Sequence, residues 1–197
     1  MEDAQDTARQ ICCSMTSVLL RLVSDAGGEG AIAELLKRSA VKHEASYLEN
    51  ADNWVSLDDA CALLEAGAQQ TGDPSFARRV GEHTLRQHAG TQVATVLRSL
   101  GSTEAVLEAV AQTATRLSTV TKMETVEVLP GRAVVRAVAL EGFTRRRIHC
   151  EWATGVLAGT PILFGLPLAR VAESECQARG GTQCLYTVSW DLSLIHI

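Results

Sequence analysis

Aromatic residues make up only 4% of the 197-residue chain, which also holds just four prolines. No run of about 18 apolar residues occurs, so nothing in the sequence reads as a membrane-spanning helix. Lys and Arg number 18 against 23 Asp and Glu, and the longest basic run is Arg145-Arg146-Arg147. Binding to a phosphate backbone draws on a basic face or stripe, and its lack argues against direct nucleic-acid binding. The acidic start Met1-Glu2-Asp3 lacks the basic and apolar regions of a signal peptide, which implies a cytoplasmic location.

Signatures of catalysis are missing as well. There is no Gly-x-Gly-x-x-Gly, no P-loop, no Gly-x-Ser-x-Gly elbow and no His-Glu-x-x-His. His149 adjoins Cys150, but successive helical positions do not share a face, so the two make no Cys/His dyad. His83 and His88 read as helix-surface residues. Haem attachment would need a Cys-x-x-Cys-His or a ligand histidine exposed on an apolar helix, and neither is present. No catalytic residue is assigned, and the chain is expected not to be an enzyme.

Hydrophobic residues at 46% and charged residues at 21% fit a globular fold with a real core. Ile11, Met15, Val18, Leu19, Leu22 and Val23 recur at helical spacing, and Gly27-Gly28 ends that helix. Ser56 reads as the cap of a helix bearing Leu57, Cys61 and Leu64, and Asp73-Pro74 as the start of another. Ser102 caps a further helix. Past Thr119 the texture turns to strands: 126–129 and 133–140 around Pro130-Gly131, then about 168–176 and 184–190, with a helix over 145–158 between the pairs. The expected fold is α+β, with helices packed on a small antiparallel sheet of about four strands. Residues 1–45 form an N-terminal helical extension, whose first helix either packs on the domain or pairs with its copy in a homodimer. Residues 46–191 form the main domain. Residues 192–197 follow the last strand without a turn and read as a non-native tail, so His196 is set aside.

Six cysteines occur, at 12, 13, 61, 150, 176 and 184. The first three sit in helical patterns as small buried hydrophobes. Cys176 and Cys184 flank the turn Gln177–Gln183, where Gly180-Gly181 lets the chain reverse, and Cys150 sits early in the preceding helix. With Glu173 they offer three thiolates and a carboxylate, a set that suits four-coordinate zinc. The spacing alone is equally compatible with buried free thiols or a Cys176–Cys184 disulfide, and with Glu173 facing solvent. Phe143, Trp152 and Phe164 surround this region and either line a ligand pocket or pack a core.

The stretch from Cys150 to Leu157, with Glu173-Ser174-Glu175-Cys176 and Gly180-Gly181-Thr182-Gln183-Cys184, resembles the 4-vinyl reductase domain. That domain is the sensor of phenol- and toluene-responsive bacterial activators, and is distantly related to haem-nitric-oxide-binding and Golgi-tethering folds. The resemblance implies structural zinc on Cys150, Glu173, Cys176 and Cys184. Leu48–Ser56 and Thr71–Pro74 resemble the input segment of actinobacterial signalling proteins, which implies an effector domain downstream in the same polypeptide. The expected function is therefore a regulatory input domain that senses a small hydrophobic or aromatic compound. The alternatives are a reductase or tetrapyrrole-processing accessory enzyme, and a ligand-free dimerisation or tethering module.

Overall fold

The structure, a computed structural model, describes residues 9–87 and 92–192. His88 and His196 lie outside the described residues. The chain runs β1 (Ile11–Cys12), α1 (Ser14–Gly27), α2 (Ala31–Ser39), α3 (Ala45–Glu49), β2 (Trp54–Val55), α4 (Leu57–Thr71), α5 (Phe76–Gln87), α6 (Gln92–Ser99), α7 (Thr103–Glu108), α8 (Val110–Thr113), β3 (Thr121–Leu129), β4 (Arg132–Ala139), α9 (Arg147–Gly159), β5 (Arg170–Glu175) and β6 (Cys184–Ser189). The fold is α+β, with helices against an antiparallel sheet ordered β3-β4-β6-β5. Among the described residues, no helix is long and apolar enough to cross a membrane.

Local chemistry accounts for the main boundaries. Ser56 and Ser102 accept the amide hydrogens of Asp59 and Ala105, satisfying donors that a helix start leaves free. Asp73 takes the Ser75 amide at 2.8 Å, so α5 begins at Phe76 rather than directly at Pro74. Ile11 is not part of the first helix. It pairs with Val55 in a two-residue ladder, and the Cys13 amide donates to Asn53.

Period-two alternation sorts the sheet faces. Ala133, Val135 and Ala137 of β4 and Cys184, Tyr186 and Val188 of β6 are buried on the inner face. That face forms one core with Cys150 and Leu157 of α9, whereas Trp152 of the same helix belongs to a second core with α1, α2, α4 and α5. Residues of α1 and α2 and residues from Leu48 to Trp152 share that second core.

The α9 helix is the wall between the two cores, and it reaches its place by crossing α5 at a distance only glycine permits. A Cβ at Gly155 would stand 2.0 Å from the Arg78 carbonyl oxygen, and one at Gly81 would stand 2.2 Å from that of Trp152. These are backbone atoms, so no side-chain rotation relieves the clash. Gly155→Ala should therefore lower stability by about 2–3 kcal/mol, despite a helix-propensity gain of about 1 kcal/mol. Thermal unfolding should show a midpoint roughly 5–10 °C lower; an unchanged midpoint would contradict the close crossing.

Candidate functional site

The site is built where α9 meets the last hairpin. In β5, Glu173 pairs with Tyr186 and Glu175 with Leu185, with a bulge between them at Ser174. A bulge inserts one residue and shifts the alternation of faces. Glu173 shares the inner face with Tyr186, Glu175 falls on the outer side with Leu185, and Cys176 turns inward again. That is the physical meaning of the Glu-x-x-Cys spacing: a regular strand would send positions i and i+3 to opposite faces. The turn after Cys176 is tied down, with Gly180 at φ 88° and the Gly181 amide donating to the Cys176 carbonyl at 3.0 Å. The Glu175 carboxylate accepts the amides of Thr182 and Gln183 at 2.7 and 3.2 Å and holds the loop from outside.

Donor atoms of Cys150, Glu173, Cys176 and Cys184 lie within 4.8 Å of one another. The Cys150 sulfur is 3.9 Å from that of Cys184 and 3.7 Å from that of Cys176. Metal–sulfur bonds of about 2.3 Å in tetrahedral geometry give sulfur–sulfur edges of about 3.8 Å, so the spacing suits a shared ion. All six cysteines are free thiols; Cys13 and Cys61 are buried in the helical core, and Cys12, expected in a helix, is a buried residue of β1 whose thiol donates to the Ala51 carbonyl at 3.0 Å. The Glu173 side chain is 7% exposed; its Oε2 accepts from Arg147 and Arg179, and its Oε1 is buried without a hydrogen-bond partner. Burial opposes the Glu173 charge, but hydrogen bonds from Arg147, Cys176 and Arg179 outweigh it and hold the carboxyl below its ordinary pKa. The contact with Cys150 holds the Cys184 thiol below its ordinary pKa against the effect of burial, and the same contact, then burial, raises Cys150.

The arginine triplet divides its work. Arg146 pairs with Glu65 at 2.7 Å, and Arg147 bonds Glu151 and Glu173. Arg145, the first of the three, is buried at 6% exposure. It donates to Thr121 Oγ1 at 2.7 Å and approaches His149 Nδ1 at 3.3 Å. Burial and the Arg145 charge depress the His149 pKa, so the imidazole is neutral, and its ring stacks on Trp152 at 5.5 Å.

Beside the thiol cluster lies a partly open cavity of about 70 Å³ lined by residues of α5, α6, α7, α8, β3 and α9. Its lining is apolar apart from the hydroxyls of Thr113, Ser118 and Thr160 and the Trp152 indole. Of the three aromatic residues singled out from sequence, Trp152 is in the wall. Phe143 packs against the helical core, and Phe164 against a small cluster around Leu97 and Leu163. Leu107, Val110, Met123 and Leu157 line the cavity without having been distinguishable from ordinary core residues.

No family model matches the chain, and no curated protein does. Among solved structures, an H-NOX protein from S. oneidensis in its Fe(II)NO ligation state matches with a TM-score of 0.71 and 14% identity, covering 92% of this chain and 99% of that one. A mutant Fe(II) unliganded H-NOX protein from K. algicida matches at 0.68 and 12%, covering 95% and 100%. A third structure, from work on haem distortion in the H-NOX family, matches at 0.66 and 12%, covering 92% and 95%. The fold is that of the H-NOX structures. This corrects the expected 4-vinyl reductase domain, which a short C-terminal motif suggested and which the similarity across the whole chain replaces. The expected zinc cofactor is corrected with it, because the similar H-NOX structures are described by Fe(II) and haem.

Haem, which this fold implies, does not fit the described lining of the cavity. Protein ligands to haem iron are His, Cys, Tyr, or Met paired with His. The described cavity lining offers Met123 alone, with no histidine, cysteine, tyrosine, lysine or arginine. A volume of about 70 Å³ is also well below the roughly 300 Å³ at which drug-sized pockets begin. His149, the buried histidine, is engaged with Arg145 and Trp152 instead.

Proposed function

We propose that this chain is a regulatory input domain of the H-NOX fold that senses a small apolar molecule in the cavity without using haem. The observation that carries this reading is the placement of α9. Cys150, near its start, enters the thiol cluster, while Trp152, Ala153, Val156 and Leu157, over the next two turns, line the cavity. One rigid element thus serves both places. A ligand that favours one position of α9 changes the hairpin end of the sheet, and it does so only by its difference in affinity for two states. An effector domain in the same polypeptide would read that state.

The cavity chemistry supports a binding role over turnover, since hydroxyls and an indole supply no general acid or base at neutral pH. It also supports a hydrogen-bonding anchor. Trp152 Nε1 and Ser118 Oγ are buried in the wall without partners, so a ligand with one acceptor oxygen would satisfy a donor the protein leaves unpaired. Benzene occupies an apolar cavity of about 150 Å³, so an aromatic ligand requires the wall to part, whereas a molecule of a few heavy atoms enters as it stands.

The cysteines and Glu173 are then a clamp. Three sulfurs and the unpartnered Glu173 Oε1 would hold a thiophilic metal ion with no open position, joining α9 to the β5–β6 turn.

Purified protein should contain roughly one thiolate-bound metal ion per chain by mass-spectrometric metal analysis, and Cys176→Ser should lose most of it. Metal content at background in the parent protein would remove the clamp from the account. For the cavity, titration with phenol and with toluene should give a saturable change in tryptophan fluorescence and a raised unfolding midpoint. Phenol should be favoured by its hydroxyl, and Val110→Phe should abolish both responses by filling the space. No saturable response to either compound would rule out an aromatic ligand in the cavity, and full responses in Val110→Phe would place their binding elsewhere.

A further inference from the structure

Arg145 raises a question that the cavity and the four donors leave open. A guanidinium is charged at every pH a protein meets, and Arg145 is only 6% exposed. Among the described residues, no carboxylate lies within ion-pair distance of it, although the neighbouring arginines 146 and 147 each have acidic partners. Its contacts are neutral: Thr121 Oγ1 at 2.7 Å, Tyr186 hydroxyl at 3.4 Å and the His149 ring at 3.3 Å. Its Nε is buried without a partner. A buried charge left in that condition is strongly unfavourable, so the compensating anion has to be sought nearby. The Tyr186 hydroxyl it reaches lies two residues along β6 from Cys184 on the same buried face, and His149, its other neighbour, adjoins Cys150 in α9.

We propose that Arg145 is the built-in counter-charge of the Cys150–Glu173–Cys176–Cys184 centre, a positioning residue outside the ligand set that makes the site prefer a fully thiolate-bound ion. The inference rests on the metal-binding reading of that centre. Three thiolates and a carboxylate carry four negative charges, and a divalent ion cancels two of them. Arg147 and Arg179 answer on the carboxylate side, where both bond Glu173 Oε2 and both are water-exposed, at 45% and 56%. Solvent and salt screen those two. Arg145 stands on the sulfur side, inside the core, where its field is least screened. The relation is reciprocal: the anionic centre stabilises the buried guanidinium, and the guanidinium tightens the ion.

The test uses Co(II) as the probe, because its thiolate charge-transfer absorption reports sulfur ligation directly, with affinity obtained by competition against a chelator. Arg145→Met keeps the length and removes the charge, and Arg145→Lys keeps the charge and loses the fork. Arg145→Met should bind Co(II) about 10–100-fold more weakly, the usual cost of removing an outer partner of a metal site. Its metal-free unfolding midpoint should be unchanged or raised, because an uncompensated buried charge has gone. A merely structural arginine would give the opposite pattern, with metal-free stability falling and affinity kept. Arg145→Lys should stay within about threefold of the parent affinity, and it decides the matter alone if the methionine variant does not fold: a tenfold loss there, or parent-like affinity in Arg145→Met, overturns the proposal. Parent protein that gives no thiolate absorption with Co(II) overturns the metal reading itself, and this inference with it.

Discussion

Everything functional in this structure depends on α9 lying almost backbone to backbone against α5. Gly81 and Gly155 remove the side chains that would stand between them, and Gly159 repeats the arrangement one turn on, where a Cβ would meet the Glu82 carbonyl oxygen at 3.0 Å. The close crossing lowers α9 onto the sheet. Cys150 can then reach the hairpin thiols, and Trp152 can close one side of the cavity. The sulfur spacing and the cavity wall are both consequences of where this helix is allowed to sit. Interiors packed at this density transmit displacement instead of absorbing it, which makes α9 a suitable carrier between the two places.

Charge placement is the second organising theme. Two exposed arginines hold the outer oxygen of Glu173 and leave its inner oxygen free, while Arg145 and the neutral His149 occupy the core side. The sheet edge contributes through its bulge, which turns both Glu173 and Cys176 to one face. Backbone, charge and register therefore converge on the same few cubic ångströms from three directions. The H-NOX fold supplies the frame, and among the described residues the cavity is lined with apolar side chains where a haem would need ligands and room. Fold and chemistry are separable properties, and here they separate.

Much of the architecture was legible in the sequence because it is written in period and punctuation. The alternation at Cys184, Tyr186 and Val188 gave β6, the turn at Pro130-Gly131 gave the β3–β4 hairpin, and Ser56 and Ser102 marked helix starts. The four donors were identifiable as a group because their residue types are chemically distinctive, and the structure brings them together. The family and the cofactor were misread because a short motif carried more weight than the whole chain. Gly81 and Gly155 were invisible as a contact, since glycine leaves no mark in a hydrophobic pattern and their partners are distant in sequence. Arg145 was hidden in a basic triplet whose other two members do face water. Cavity residues such as Leu107 and Val110 were illegible for a different reason: a cavity wall and a filled core use the same side chains.

The central claim is that one helix couples the cavity to the clamp, and coupling is reciprocal by thermodynamic necessity. The most direct measurement is the affinity of phenol, followed by calorimetry, for metal-loaded protein and for the same protein after chelation. Coupling through α9 predicts that the two affinities differ by about fivefold or more, in the lower part of the usual range for linked sites. Equal affinities in two folded samples would show that the cavity and the clamp are independent, and the account would fail at its centre.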